Sequence, residues 1–384
     1  MSKMDIGKLK ELDRITLKRI EDKRLVFASY AVCHKGEVVY KNAHGFCDIE
    51  NQKPLKYDTM VRLASMTKPI TGVAAMRQVE NGAFSLDDKV SKYIPSFKNM
   101  NVGILGEDGK VKAVYPARRE IIIRDLFNQA SGLGEGEIGN RAWKDYHIKE
   151  GDTLSSMVPK FGDQLLDFEP QSNAIYSWTQ AFDTLAYLVE MTSGMEFEDY
   201  LKKYILHPLD MYDTVYTPNE EQLGRLAQLY DARDGKITKI DMHGHIFGDT
   251  PLSYKAAGAA MAGTLDDYMK FAQMLLHKGE YNGRRILKEE TVKEMTAVSL
   301  PEHLVPADCN ESWGLSMRVI LRRVPGVQEL NPGSFGWSGA YGTHFFIDPS
   351  EELYGVYIKN LLDGGGSGAD TAREFEKVIM EALI

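Results

Sequence analysis

Ser65 stands three residues before Lys68 in the stretch LASMTKP (63–69), and no other serine in the chain has a lysine at that spacing. Residues three apart on a helix share a face. A serine hydroxyl is a weak nucleophile until a neighbouring base takes its proton. A lysine can be that base when burial or nearby positive charge lowers its pKa. The start of a helix also favours negative charge developing beside it. The same serine would serve equally well as a helix N-cap, so the pair alone leaves the choice open.

The elements around the pair restrict that choice. Residues 1–24 carry Ile6, Leu9, Leu12, Ile15 and Ile20 at roughly helical spacing, which predicts an amphipathic helix. The run LVFASYAVCHKGEVVYKNAHG (25–45) gives two strand-like stretches about Lys35-Gly36 and predicts a hairpin. A helix follows Ser65, with Val73, Met76 and Val79 apolar and Asn81-Gly82 as its stop. From about 83 to 295 the pattern is mostly helical. WTQAFDTLAYLVEMTSG (178–194) is a strong helix, and GTLDDYMKFAQMLLHKG (263–279) opens on the capping-box pair Thr264 and Asp267. Three strand-like runs follow, SWGLSMRVILRR, GWSGAYGTHFFIDP and ELYGVYIKNL, and then a final amphipathic helix, ADTAREFEKVIMEALI. Short links between successive strands favour an antiparallel sheet, with the terminal helices covering it.

Composition bounds the class. The chain has 384 residues, 43% hydrophobic, with a net charge of −9 and both signs interspersed. That is a globular chain with a sizeable core, and its balance argues against nucleic acid as a partner. The charged opening lacks the apolar stretch of a signal peptide, and no apolar run reaches membrane-span length. Cys33, Cys47 and Cys309 make no disulfide framework. A reduced, cytoplasmic setting is the expectation, with Cys33 a buried strand residue.

Three stretches recur in one order: LASMTKP at 63–69, IYSW at 175–178 before a strong helix, and GWSGAYG at 336–342 in a predicted strand. Together with flanks such as VENGAFSLDDKVSKYIPSF and FFIDP, they resemble the serine β-lactamase and penicillin-binding-protein superfamily. The likeness is nearest the class C β-lactamase-like branch with its family VIII carboxylesterases, and it runs over nearly the whole chain. The resemblance implies an α+β, β-lactamase/transpeptidase-like fold: an antiparallel sheet flanked by the N- and C-terminal helices, with a large, mostly helical insert. The expectation is one catalytic domain over 1–384, its α/β part about 1–82 and 296–384 and its helical part about 83–295.

Carried over by position, the resemblance implies Ser65 as acylated nucleophile, Lys68 as its amine partner and Tyr176 as general acid/base. It implies an oxyanion hole from the backbone N–H groups of Ser65 and Ala340, with Gly339 letting the strand approach a ligand. Trp178 stands where the family usually has Asn, and Trp337-Ser338-Gly339 stands for Lys-Thr-Gly. A tryptophan offers apolar area and one N–H donor, and no charge. Trp178, Trp337, Ser338 and Gly339 are therefore expected to line a hydrophobic substrate site. The implied activity is a serine hydrolase using an acyl-enzyme, a carboxylesterase on small or hydrophobic esters, with no metal and no cofactor. The alternatives are a β-lactamase, a D-amino acid peptidase or amidase, or an acyltransferase on the same site, and, in another class, a non-catalytic binding scaffold. Its partner is a small-molecule ester or amide.

Other candidates read as structural. His243 and His245 in MHGH have no carboxylate or cysteine pattern to complete a metal site. His344 alternates along a strand. GGGSG at 364–368 lacks the lysine of a phosphate loop and reads as a flexible loop.

Overall fold

The structure, a computed structural model, describes residues 3–134, 136–139, 148–242, 253–362, 364–366 and 368–384. His243 and His245 lie outside the described residues. One antiparallel sheet of eight strands organises the fold. In chain order its strands are β1 (Phe27–His34), β2 (Glu37–Asp48), β3 (Lys53–Pro54), β4 (Glu311–Trp313), β5 (Arg318–Ile320), β6 (Phe335–Ser338), β7 (His344–Asp348) and β8 (Leu353–Ile358). Their order across the sheet is β4-β5-β6-β7-β8-β1-β2-β3. The chain leaves the sheet after β3 and re-enters it at the far edge, closing where β8 pairs antiparallel with β1, Ser29 opposite Ile358.

Every residue of β1 is buried, because both faces of the sheet are covered. Successive side chains point to opposite faces. Ala28, Tyr30 and Val32 pack under the terminal helices α1 (Glu11–Glu21) and α5 (Asp370–Glu381), with Leu12, Phe375 and Ile379. Phe27, Ala31 and Cys33 face the larger core, which includes α2 (Thr67–Glu80), α3 (Gln180–Ser193) and α4 (Leu265–Leu276).

Three features depart from the sequence expectation. The run 312–323 makes two short strands, β4 and β5. Ser316 takes φ 73° and Gly314 N donates to Met317 O at 2.9 Å, which closes a tight link in mid-run. The segment 83–295 is less helical than its apolar spacing suggests, since Asn101–Leu105 and Val111–Pro116 pair as a hairpin. Helix α4, from that same segment, packs directly on β1, β7 and β8, so the sheet layer draws on the insert. The Thr264 hydroxyl accepts from Asp267 N, as expected of a cap. The Asp267 carboxylate does not return the bond; it accepts from Asp213 N and Lys270 Nζ, at 2.9 Å each.

Candidate active site

Ser65 sits in a 3₁₀ turn, Ala64–Met66, that runs straight into α2. The turn is tight: Ala64 takes φ 47°, a left-handed conformation rare for a residue with a side chain. Such strain persists only where the surroundings enforce it, and three contacts do so. Leu63 N donates to Met261 O (2.9 Å), the Thr343 hydroxyl donates to Leu63 O (3.0 Å), and the Tyr268 hydroxyl donates to Met66 O (2.9 Å). The first backbone bond of the turn runs from Met66 N to Leu63 O, so the Ser65 N–H lies ahead of it.

Lys68 lies one turn on and is fully buried. Its ammonium nitrogen donates to Gly258 O at 2.9 Å and to Trp178 O. It also lies 4.7 Å from the centre of the Tyr176 ring and 5.2 Å from that of Phe182. Tyr176 is held by bonds on either side of it, Ile175 N to Gln129 O (3.1 Å) and Ser177 N to Gln129 Oε1 (2.6 Å). The Trp337 indole N–H donates to the Tyr176 hydroxyl at 3.4 Å, with ring centres 5.3 Å apart. Trp313 completes the cluster, 4.5 Å from Trp337 and stacked on Tyr176 at 5.9 Å. Aromatic pairs of this kind each contribute about 0.5–1.5 kcal/mol beyond area burial.

A cleft of about 400 Å³ runs over these groups, lined by Ser65, Tyr176, Trp178, Trp337, Ala340 and Tyr341 among others. No lysine, arginine or histidine is among its described lining residues. Arg62, three residues before Ser65, is buried and donates to Ala227 O at 2.8 Å. Trp178 is 63% exposed, so its indole forms the rim, while its carbonyl holds Lys68.

At Gly339 the strand comes so close to the Ser65 turn that a Cβ would lie 2.2 Å from Thr343 Oγ1 and 2.3 Å from Leu63 O. Only glycine fits there, and it brings Ala340 to the cleft beside Ser65. Ser338 borders the cleft as well, and its hydroxyl pairs with His344 Nδ1 at 2.7 Å. Along a strand neighbours alternate faces, so with Trp337 turned to the cleft Ser338 turns inward. There His344 also meets Glu376 at 3.1 Å, and Glu376 pairs with Arg318.

Four contributors escaped the sequence reading. Trp313 had no motif to mark it. Gly365 and Gly366 wall the cleft, although their sequence reads only as a flexible loop. Asp183 on α3 is fully buried, and burial pushes its carboxyl up to about 7 against the pull of the Tyr254 hydroxyl, the Ala257 N–H and the nearby Lys68. It accepts from Tyr254 and from Ala257 N, and so pins the segment whose Gly258 carbonyl holds Lys68. An acid within the apolar stripe of a strong helix was the available signal for it.

The family model described as Beta-lactamase matches residues 12–377. Protein Rv1367c of Mycobacterium tuberculosis is 29% identical over 344 residues, 85% of this chain and 84% of that protein. Esterase EstB of Burkholderia gladioli is 26% identical over 381 residues, 93% of this chain and 91% of that one. Among solved structures, "EstCE1, a hydrolase with promiscuous acyltransferase activity" superposes with a TM-score of 0.80 at 24% identity, covering 99% of this chain and 100% of its own.

Proposed function

The chain belongs to the β-lactamase family, and we propose that within it this protein is a serine hydrolase that forms an acyl-enzyme on Ser65 and acts chiefly as a carboxylesterase. The observation that carries this reading is the shared cleft. Ser65 and Tyr176 border it, Lys68 lies beneath the Tyr176 ring, and tryptophan stands where a carboxylate-binding lysine would be. In the proposed reaction Ser65 Oγ attacks the ester carbonyl while its proton passes to Lys68 and Tyr176. Lys68 is well placed to take part. Its Nζ donates to the carbonyls of Trp178 and Gly258, which hold it against the Tyr176 ring. The oxyanion is received by the N–H groups of Ser65 and Ala340, usually the largest electrostatic contribution in acyl transfer. The proton then goes to the leaving alcohol, and water releases the acid.

The lining favours acyl and alkyl groups over anionic β-lactams, and the name of EstB agrees in kind. Transfer of the acyl group to an alcohol uses the same acyl-enzyme; the promiscuous acyltransferase activity ascribed to EstCE1 supports it as a second reading. We read the chain as one catalytic domain, because the cleft takes Ser65 and Trp337 from the sheet part and Tyr176 and Ala259 from the insert. Three unpaired cysteines support a reduced setting. The test is p-nitrophenyl butyrate hydrolysis by wild type and by Ser65→Ala, with thermal melting alongside. A folded variant without turnover is expected; a folded variant that retains it would overturn the assignment.

A further inference from the structure

We infer that Asp183 is the positioning residue for Lys68: it fixes the two carbonyls that hold the amine, and its charge governs how readily that amine gives up its proton. The inference rests on the acyl-enzyme reading for what Lys68 does, and on separate geometry for Asp183. Asp183 is fully buried on α3 and is not among the described residues that line the cleft. One carboxylate oxygen accepts from Ala257 N at 2.6 Å and the other from the Tyr254 hydroxyl. From the other side the hydroxyl of Thr71, one turn beyond Lys68 on α2, donates to Ala257 O at 2.7 Å. The segment 254–258 is thereby tied to both helices, and its Gly258 carbonyl lies 2.9 Å from Lys68 Nζ. The second carbonyl depends on the helix that carries Asp183. Asp183 N donates to Thr179 O at 2.8 Å, closing the first turn of α3 just behind Trp178, whose carbonyl also accepts from Lys68. The convergence is close: a Cβ on Gly258 would lie 2.3 Å from Trp178 O and 3.2 Å from Lys68 Nζ.

Charge adds to position. Lys68 Nζ donates to two neutral carbonyls, so the cradle itself brings no counter-charge. Asp183 stands behind it, and the Lys68 charge draws the Asp183 carboxyl toward ionisation against the effect of burial. Coupling of this kind is reciprocal. An ionised Asp183 favours a charged Lys68 by the same amount, and a lysine so held is slower to become a base. Burial sets the Asp183 carboxyl at about 7, so its charge appears around neutral pH. The other titratable groups around it do not answer for the same effect. Tyr254 and Tyr216 are pushed far above the ordinary phenol range by burial and stay neutral. Glu198 pairs with Lys255 at 3.5 Å. Glu190, two turns further along α3, accepts from Phe197 N at 2.9 Å. Removing the Asp183 charge should therefore let Lys68 release its proton at lower pH.

The deciding variant is Asp183→Asn, which keeps an oxygen for Ala257 N and an amide for Tyr254 but removes the charge. The experiment has two arms. The first is the pH profile of kcat/KM for p-nitrophenyl butyrate in wild type and variant. The acid limb should move to lower pH by at least about half a pH unit; a merely structural role would lower the profile without moving its limb. The second arm needs no turnover. Lys68 Nζ is followed by nitrogen NMR in protein carrying isotope-labelled lysine, assigned by the signal lost in Lys68→Met, and titrated with base. Its midpoint should fall in Asp183→Asn by the same amount as the limb. For the geometry, Asp183→Ala, or Thr71→Val should that variant not fold, should lower kcat by roughly tenfold or more with KM little changed. An Asp183→Asn protein whose midpoint stays at the wild-type value would overturn the inference while leaving the esterase reading intact. So would wild-type kcat in the folded Asp183→Ala or Thr71→Val variant. A lowered midpoint in a protein that hydrolyses no ester would uphold the tie between Asp183 and Lys68 and count against the esterase reading alone.

Discussion

Replacing Gly339 by alanine tests the proposed oxyanion hole through its geometry. The added Cβ would lie 2.3 Å from Leu63 O, and real Cβ contacts stop at 3.0 Å, so strand β6 and the Ser65 turn must separate by about 0.7 Å. Neither side gives easily. Leu63 O is held by the Thr343 hydroxyl, and Gly339 N donates to Thr343 O at 2.7 Å. The separation pulls the Ala340 N–H away from the Ser65 N–H, outside the 2.7–3.1 Å window that an oxyanion donor needs. Losing one such donor costs about 10²–10³ in kcat, or roughly 2.7–4 kcal/mol. The overpacking itself costs about 1–3 kcal/mol of stability, less than the roughly 5–15 kcal/mol typical of a folded domain, so the variant should remain folded. The assay is p-nitrophenyl butyrate kinetics with thermal melting. The expected outcome is a kcat loss of at least about a hundredfold with KM little changed. Ala340→Gly, which keeps the N–H, should stay within about threefold on the same reasoning. A Gly339→Ala variant within threefold of wild type would refute the account of the hole.

Lys68→Met and Tyr176→Phe should each cost at least about a hundredfold in kcat; acting on one proton path, they should combine to much less than the product, and a double mutant as slow as that product would show independent roles. Short-chain esters should be turned over far better than nitrocefin, because a charge-assisted contact worth about 1.5–3 kcal/mol is missing at Trp337. Trp337→Lys should raise the nitrocefin-to-ester ratio of kcat/KM by about tenfold or more, and an unchanged ratio would count against the argument. Asp183, held at about 7 by burial, keeps its proton in the fold between pH 4 and 7 while the unfolded chain releases it. Stability from this group therefore falls as pH rises through that window, by an amount on the order of a few kcal/mol. Urea melts of Asp183→Asn should show a shallower decline than wild type from pH 4 to 7; parallel curves would contradict the assignment.

What the sequence disclosed was local. The Ser65–Lys68 spacing, the strong helix after Tyr176 and the strand about Gly339 are each carried by neighbours in the chain, and the structure brings all three to one cleft. What it hid depends on packing between distant segments. Trp313 reaches Tyr176 only because β4 lies at the sheet edge two strands from β6. The stretch at 364–368 reads only as a flexible loop until Gly365 is seen against Gly339 and Ala340. Asp183 matters through Ala257 and Tyr254, more than seventy positions away. The α4 helix was assigned to the insert because periodicity tells which face is apolar and not which layer receives it.

The central claim is that Ser65 becomes covalently acylated, and the most direct measurement is the mass of the intact protein after exposure to a fluorophosphonate probe, followed by peptide mapping. The account predicts one adduct per chain, on Ser65, lost in Ser65→Ala and slowed in Lys68→Met. An adduct on another residue, or ester turnover by a protein that takes up no probe at Ser65, would contradict it.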